Sequence, residues 1–450
     1  MTFPGFFAIF FAIMIIIKKK YNFIIDPMFY MLMIFILFFG QTKEIVLSEK
    51  SELILTLSFC IFFGTTYFIR NRELKFLVNY FQRKTTVLKS LDIKPLTGSQ
   101  QFFLFLIVLT YITFDLSLNT WLYGSFEKAV TRFYFRLPEI EDAPTYLSII
   151  QFSLYSVSSL ILFVLSYNNS KFNTSSFYTN LSFLALALVA FPRGTRGAII
   201  VLLIIIILAK IISNFSSGLS PLKGILFSPK VLYPGLIVLL MFLALSSIRN
   251  KEIDNLDMLQ KTITEMDFSQ SQKDYSSTEG DLLLKDYELS VDKFGNTVPY
   301  LPLNYTLKAV LLNPIPRSIW KEKPVGFGVA LTEVKWGGQN FEPQHLADIK
   351  WSNAAGIAGE GWANNGIYGV ILYSFLMGLY AGILLRLVDA FLLSENYYTL
   401  LIGLLSFLAS LLTVRGDILS GITQGLYPML FFLLIIFFIE PFIRYKWSFN

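Results

Sequence analysis

The chain has very little of what most soluble enzymes use. It holds one cysteine, Cys60, and one histidine, His345, in 450 residues. A lone cysteine inside an apolar run cannot build a disulfide framework or a thiolate metal site within the chain. A single histidine argues against a multi-histidine metal centre. Charged residues make up only 15% of the chain. There is no nucleotide-binding glycine loop, no P-loop and no cluster of metal ligands, so neither a metal nor another cofactor is expected, and ATP hydrolysis by this chain is not expected either. No period of internal repetition stands out, which weakens an inverted-repeat transporter reading. The alternating pattern of barrel strands is also missing.

What the chain has in abundance is hydrocarbon. Hydrophobic residues make up 54% and aromatic residues 16% of the sequence, with a mean hydropathy of +0.58, well above the balance of a soluble domain. This composition predicts an all-α integral membrane protein, because only helices and closed barrels satisfy their backbone in lipid. Apolar runs of spanning or near-spanning length fall at 3–17, 23–40, 53–69, 101–123, 146–166, 177–192, 197–213, 231–248, 366–388, 398–414 and 419–440. They predict a polytopic bundle of about eleven transmembrane helices. The first run has no basic residue before it and Lys18-Lys19-Lys20 after it, the reverse of a cleavable signal peptide, and reads as the first span. The chain then divides into about eight N-terminal helices (1–248), one large extracytoplasmic loop (249–365) and about three C-terminal helices (366–450).

The net charge of +6 does not call for a nucleic-acid partner, because the distribution of Lys and Arg between loops sets membrane topology. Placing the lysine triplet inside also puts the basic 70–98 loop, Lys171, the Lys210, Lys223 and Lys230 group, Arg386, Arg444 and Lys446 inside. The short outer loops then hold Lys43, Lys50, Lys128, Arg132, Arg136, Arg193, Arg196 and Arg415. The inner side wins by about two to one, as the positive-inside rule requires. No functional motif entered this assignment, yet it puts Arg193, Arg196, Arg415 and the whole 249–365 segment on the outer face.

Phe191 to Gly197 reads Phe-Pro-Arg-Gly-Thr-Arg-Gly between two apolar runs. A guanidinium near hydrocarbon is costly, by about 3 kcal/mol to several times that at the bilayer centre. Arg193 and Arg196 open an inward-running helix, whose N-terminal N–H groups and dipole add to their charge. Together they suit a phosphate or diphosphate. The other reading is a topological turn whose arginines snorkel to lipid phosphates. Arg415 heads the last span in the same sense, with Asp417 able to hold it, and an interfacial salt bridge is the competing reading. Arg317 follows two prolines and precedes Lys321 and Lys323; its alternative is a basic rim for lipid headgroups.

The outer loop changes character along its length. Residues 253–266 have an amphipathic helical spacing, and Ser269 to Gly280 reads as flexible loop. From about Tyr300 the chain is denser in Pro, Gly and Trp, as in Trp336-Gly337-Gly338. Tryptophans suit the headgroup interface, so this half is expected to lie back on the membrane. It holds His345, the one side chain whose ordinary pKa lies near neutrality, although a lone histidine is more often incidental than catalytic. It also holds Glu360, a candidate general base or ligand for sugar hydroxyls, whose alternative is a carboxylate favoured by a helix N-terminus. Trp362 is a candidate for stacking on a sugar ring. Asp115, within the fourth run, is a functional candidate as an intramembrane acid, beside the polar Ser117, Asn119 and Thr120.

Three elements in order resemble the O-antigen and capsule repeat-unit polymerases, the Wzy family of bacterial inner-membrane glycosyltransferases. They are Gly194-Thr195-Arg196-Gly197 opening a middle helix, then Pro316, Arg317, Trp320, Lys323 and Pro324 in a large periplasmic loop, then Gly359-Glu360 followed by Asn364-Asn365-Gly366 and Gly369 at the next helix. The similarity covers roughly 177–440; the first half matches only as hydrophobic spans. The resemblance implies a metal-independent helical glycosyltransferase of the C type in the bacterial inner membrane, working on its periplasmic side in lipopolysaccharide or capsule synthesis. Its donor and acceptor would be glycans linked through diphosphate to undecaprenol, among membrane lipids, with a chain-length regulator protein as a further partner. Transfer displaces a diphosphate at the anomeric carbon, and arginine suits the developing charge. Arg193, Arg196, Arg317 and Arg415 are the candidates for this role, with Glu360 or His345 as the base. An O-antigen ligase would share this chemistry with a different acceptor, and its family uses a loop histidine to which His345 could correspond. A flippase or exporter of lipid-linked oligosaccharide would also need cations for diphosphate.

Overall fold

The computed structural model describes residues 2–19, 26–40, 46–72, 94–131, 145–190, 196–215, 235–236, 279–315, 319–349, 352–391, 397–415, 418–423, 425–430 and 432. Among them the secondary structure is helical apart from a single isolated bridge between Phe294 and Val298. Three helices among the described residues are long and apolar enough to cross a membrane, and shorter apolar helices accompany them. The chain forms two compact units, one of Met1–Asp92 with Ser277–Asn450, the other of Ile93–Ser276. The sequence division follows chain order, whereas the first unit joins both ends of the chain. The expected 253–266 helix lies outside the described residues, as does the expected span 231–248 apart from 235–236; of the expected 269–280 loop only Glu279 and Gly280 are described, and they open a helix instead.

The continuous unit contains α4 (Gly98–Tyr123), α5 (Phe126–Thr131), α6 (Thr145–Phe172), α7 (Phe177–Ala190) and α8 (Arg196–Phe215). Its first helix starts at a reciprocal capping box. Thr97 Oγ1 accepts from Gln100 N at 3.3 Å and Gln100 Oε1 accepts from Thr97 N at 2.9 Å, which satisfies two otherwise orphaned donors. It stops at Gly124, where a positive φ of 73° suits glycine. α4 packs on α6 and α7, and α6 packs on α8.

The discontinuous unit is built on α1 (Phe3–Lys19), α2 (Pro27–Phe35) running into a π-turn at Ile36–Gly40, α3 (Glu49–Asn71), α14 (Gly366–Phe391) and α15 (Tyr397–Arg415). Among the described residues of the large loop are five further helices: α9 (Glu279–Lys293), α10 (Tyr305–Leu312), α11 (Phe327–Lys335), α12 (Pro343–Asp348) and α13 (Gly356–Ala363). At 23 residues, α3 is about 35 Å long at 1.5 Å per residue, enough to cross a hydrocarbon layer of about 30 Å. Phe3, Phe6, Phe10, Ile13 and Ile17 of α1 are exposed apolar side chains, as a lipid-facing stripe requires.

α3 and α14 pack along most of their length. Gly378 and Gly382 are four apart on α14, and a Cβ at either would lie 2.6 Å from Phe62 O or 2.7 Å from Ile69 Cβ. Small residues at this spacing let two backbones approach where no hydrophobic drive separates helix from lipid. The same seam carries hydrogen bonds, Ser58 to Ser374 at 2.8 Å and Thr66 Oγ1 to Gly378 O at 3.2 Å. At its end Arg70 is held bidentately by Asp389, at 2.7 Å for each bond, and by Asp26 at 2.6 Å. Asp26 also caps α2 through Met28 N at 2.9 Å, so one guanidinium ties three helices.

The described part of the large loop is no separate domain. Leu284, Tyr287, Phe294, Leu331 and Ala358 share one buried apolar cluster with Met31, Leu55, Phe62 and Tyr373. Tyr287 donates to Ser51 O, and Trp362 Nε1 donates to Phe294 O at 3.1 Å. Burial pushes the Tyr287 hydroxyl well above the usual phenol range, with Glu288 adding to the shift, so it acts as a neutral donor. The loop tryptophans differ among themselves: Trp336 and Trp320 are exposed, as an interfacial residue would be, whereas Trp362 is built into the fold.

Candidate functional site

The glycine-rich stretch before α14 is explained by close packing. α13 and α14 meet at a tight corner, with Asn365 at φ 81° and Gly366 at φ 62°. A Cβ at Gly361 would lie 2.8 Å from Val370 Cα, and one at Gly369 would strike the carbonyls of Gly361 and Asn364. The corner seats Glu360 in the interior, with no exposed surface. Glu360 Oε1 accepts from Thr306 Oγ1 at 2.6 Å, and Oε2 accepts from Ile418 N at 2.7 Å. Asn364, also at 0% exposure, donates to Thr306 Oγ1 at 3.2 Å and to Glu360 O at 2.7 Å. A buried carboxylate is tolerable only when its oxygens are hydrogen-bonded in this way.

Those partners connect the candidate segments to one another. Thr306 lies on α10, which leads toward Arg317; Ile418 follows Arg415. Gly326, at the N-terminus of α11, packs against Leu419, where a Cβ would stand 2.9 Å from Leu419 Cδ2. Lys323 is buried, and its Nζ donates to Asn313 O at 2.5 Å and to Ile315 O at 2.9 Å. A ring of contacts therefore runs from α10 through Glu360 to Ile418, from Leu419 to Gly326, and from Lys323 back to the end of α10. Lys323 is thereby a fastener of the turn before Pro316-Arg317. No sequence pattern could have revealed this, because its acceptors are backbone carbonyls.

His345 sits on α12, half-exposed, with Nε2 3.1 Å from Glu333 Oε2. Glu333 was not singled out from the sequence. Its side chain is 10% exposed, and its Oε1 accepts from Asn340 N at 3.3 Å. Trp336-Gly337-Gly338 is the turn that makes this contact: Gly337 has φ 84°, and a Cβ at Gly338 would land on the Glu333 carboxylate. Those two glycines were the available signal. At this distance Nε2 is placed to donate to the carboxylate, the arrangement in which Nδ1 of a neutral imidazole would be the acceptor.

Trp362 has Lys50 Nζ 4.4 Å from its ring centroid and the Tyr300 ring edge-on at 5.8 Å. The ring thus already stacks with a cation, and its N–H is spent on Phe294. Asp115 belongs to the continuous unit, on α4. It is fully buried, and its Oδ1 accepts from Gln151 Nε2 of α6 at 2.5 Å; Asn119 Nδ2 donates to its backbone carbonyl.

The arginines are reached less directly. Arg196 is the first residue of α8 and Arg415 the last of α15. Arg193, Arg317 and Asp417 lie outside the described residues. Arg317 and Arg415 belong to the discontinuous unit with Glu360 and His345, Arg193 and Arg196 to the continuous one. Among the described residues no three His, Cys, Asp or Glu side chains gather as metal ligands. Comparison of the chain with protein-family models, with curated proteins and with solved structures finds no match.

Proposed function

We propose that this protein polymerises undecaprenyl-diphosphate-linked oligosaccharide repeat units on the periplasmic face of the bacterial inner membrane. In this reading about eleven helices span the bilayer, and residues 249–365 form the large periplasmic loop. The growing glycan moves from its lipid diphosphate to the terminal sugar of a new lipid-linked unit. The acceptor oxygen bonds to the donor's anomeric carbon as the bond from that carbon to the diphosphate oxygen breaks. The diphosphate leaves with the electron pair, and the acceptor's proton goes to His345 Nδ1.

The observation that carries the reading is the ring around Glu360. Two of the three elements of the family resemblance, the segment around Arg317 and the Gly359–Gly369 corner, are linked there to the chain beside Arg415. The leaving diphosphate would be neutralised by guanidiniums through bidentate hydrogen bonds, and Arg317 and Arg415 are the candidates in the same unit as Glu360. Removing one preorganised donor to a developing anion typically costs about a hundred- to a thousandfold in rate.

The test uses purified protein in nanodiscs with a synthetic undecaprenyl-diphosphate-linked repeat unit. A polymer ladder with release of undecaprenyl diphosphate is expected, lost in Arg196→Ala and Arg317→Ala at equal protein level. Bond formation only when a lipid A core acceptor is supplied would make the protein a ligase. Movement of the lipid across a bilayer with no bond changed would make it a flippase.

A further inference from the structure

Trp362 is committed to the fold, since Lys50 Nζ lies over its ring and its N–H goes to Phe294 O. Trp336 is the opposite case. Its residue is 60% exposed, while its backbone is fixed at the end of α11, where its N–H reaches Thr332 O at 3.1 Å and Glu333 O at 3.2 Å. The chain then turns at Gly337, with φ 84°, and brings Gly338 against the Glu333 carboxylate, with Gly338 N donating to Glu333 O at 3.0 Å. The same carboxylate lies 3.1 Å from His345 Nε2, and the His345 side chain is 42% exposed. Trp336 stands three residues after Glu333, a helical spacing that puts two Cβ atoms about 5–6 Å apart. Glu333 therefore contacts both the imidazole and the turn that carries the exposed indole.

Exposure alone also suits an anchor in the headgroup layer; the surroundings separate the two. Trp320 has the exposed Ile319 beside it, a pair that suits lipid. From Lys335 to Asn340 the only apolar side chain is that of Trp336. Lys335 is paired with Asp286 at 2.7 Å, and Gln339 and Asn340 are exposed amides. An aromatic face with polar donors and acceptors around it suits a sugar, which has an apolar C–H face and a rim of hydroxyls. We infer that Trp336 is a substrate-binding residue: the terminal sugar of the acceptor stacks on its indole, which brings the reacting hydroxyl to His345. This rests on the polymerase reading above. The indole supplies binding and the imidazole takes the proton, so the two act on different kinetic constants.

The experiment compares Trp336→Ala, Trp336→Leu and Trp336→Phe with the wild type in three readouts. In the nanodisc polymerisation assay, the alanine and leucine variants are expected to raise KM about tenfold, the scale of one aromatic contact, with kcat kept within about threefold, and phenylalanine recovers most of the loss. A fall in kcat at unchanged KM, or no change in either constant, would overturn the inference. The second readout is ligand-observed NMR with the lipid-free oligosaccharide of the same repeat unit, which needs no turnover. Binding weakened about tenfold in Trp336→Ala supports the platform; equal binding in both proteins, or none in the wild type, overturns it. The third is the fluorescence difference between wild type and Trp336→Phe in nanodiscs of brominated phosphatidylcholine. An unquenched Trp336 supports the sugar site, and a quenched one makes the residue a lipid anchor and overturns it. If no glycosidic bond forms with any acceptor, the polymerase reading falls while the oligosaccharide binding still decides the platform. Should Trp336→Ala fail to fold, Trp336→Leu replaces it, because leucine keeps apolar bulk without a ring.

Discussion

Among the described residues two carboxylates, one in each compact unit, have no exposed surface, and they have different partners. Asp115 accepts from a glutamine side chain on the neighbouring helix, a contact that joins α4 to α6 across a seam of regular helices. Glu360 accepts from the backbone N–H of Ile418 and from a hydroxyl on a loop helix. An intramembrane acid is a default functional candidate because of its cost in hydrocarbon. The comparison shows that cost alone does not discriminate. Asp115 joins two side chains on neighbouring helices, whereas Glu360 joins a backbone N–H to a side-chain hydroxyl.

The sharpest way to break the comparison is to remove each acid in turn. Glu360→Leu is expected to lower polymerisation by about a hundredfold, and Asp115→Asn to keep it while costing about 1 kcal/mol of stability, the net worth of one hydrogen bond. Nanodisc turnover and thermal unfolding in detergent read the two effects; a larger activity loss in Asp115→Asn would reverse the assignment. Next in size is Gly382→Leu, which forces α14 away from Ile69 and Thr66 and should cost about 1–3 kcal/mol or more by overpacking. The fall in melting temperature measures it, and an unshifted melt would show that the seam does not need small residues.

Lys323→Met withdraws the donor from two carbonyls before Pro316-Arg317 and should cost about 1–2 kcal/mol, with Lys323→Arg recovering part. Wild-type stability in the methionine variant would remove the fastener from the ring. Glu333→Ala should slow turnover about tenfold by freeing His345 from its orientation, less than the roughly hundredfold expected for His345→Ala. The single histidine allows a direct check: the imidazole 15N spectrum should show one tautomer in the wild type and a mixture in Glu333→Ala.

The smallest effect concerns Asp286. Burial raises its carboxyl pKa, opposed by the Lys335 ammonium at 2.7 Å. With the folded pKa above the unfolded one, the folded state holds the proton longer, so this group's contribution is complete at low pH and declines as pH rises through the carboxylate range. Relative to Asp286→Asn, the wild type should therefore lose a little stability as pH rises from about 4 to about 6. A difference that moves the other way would mean that Lys335 outweighs burial.

Much of the helical framework was legible beforehand. The apolar runs at 3–17, 53–69, 101–123 and 366–388 coincide with α1, α3, α4 and α14, because hydrophobic length is a local property. The start of a helix at Arg196 was legible for the same reason. The corner at Gly359–Gly369 was visible as a motif, but its cause was not, since only the packed helices show which Cβ positions are forbidden. Glu333 escaped notice because its partner lies twelve residues on and its other bonds are to backbone. The ring through Thr306, Glu360, Ile418, Gly326 and Lys323 joins positions far apart in the chain, and nothing in periodicity or composition brings them together.

By itself the sequence determined an apolar helical chain with few charges and scarcely any metal-ligating or thiol chemistry, because burial in lipid and helix formation depend on residue type and near neighbours. Only the tertiary structure decided which of the few charges hold the fold. That decision depends on distances between segments hundreds of residues apart, such as Arg70 with Asp389, and on hydrogen bonds to backbone, which every residue but proline offers alike and no sequence pattern marks.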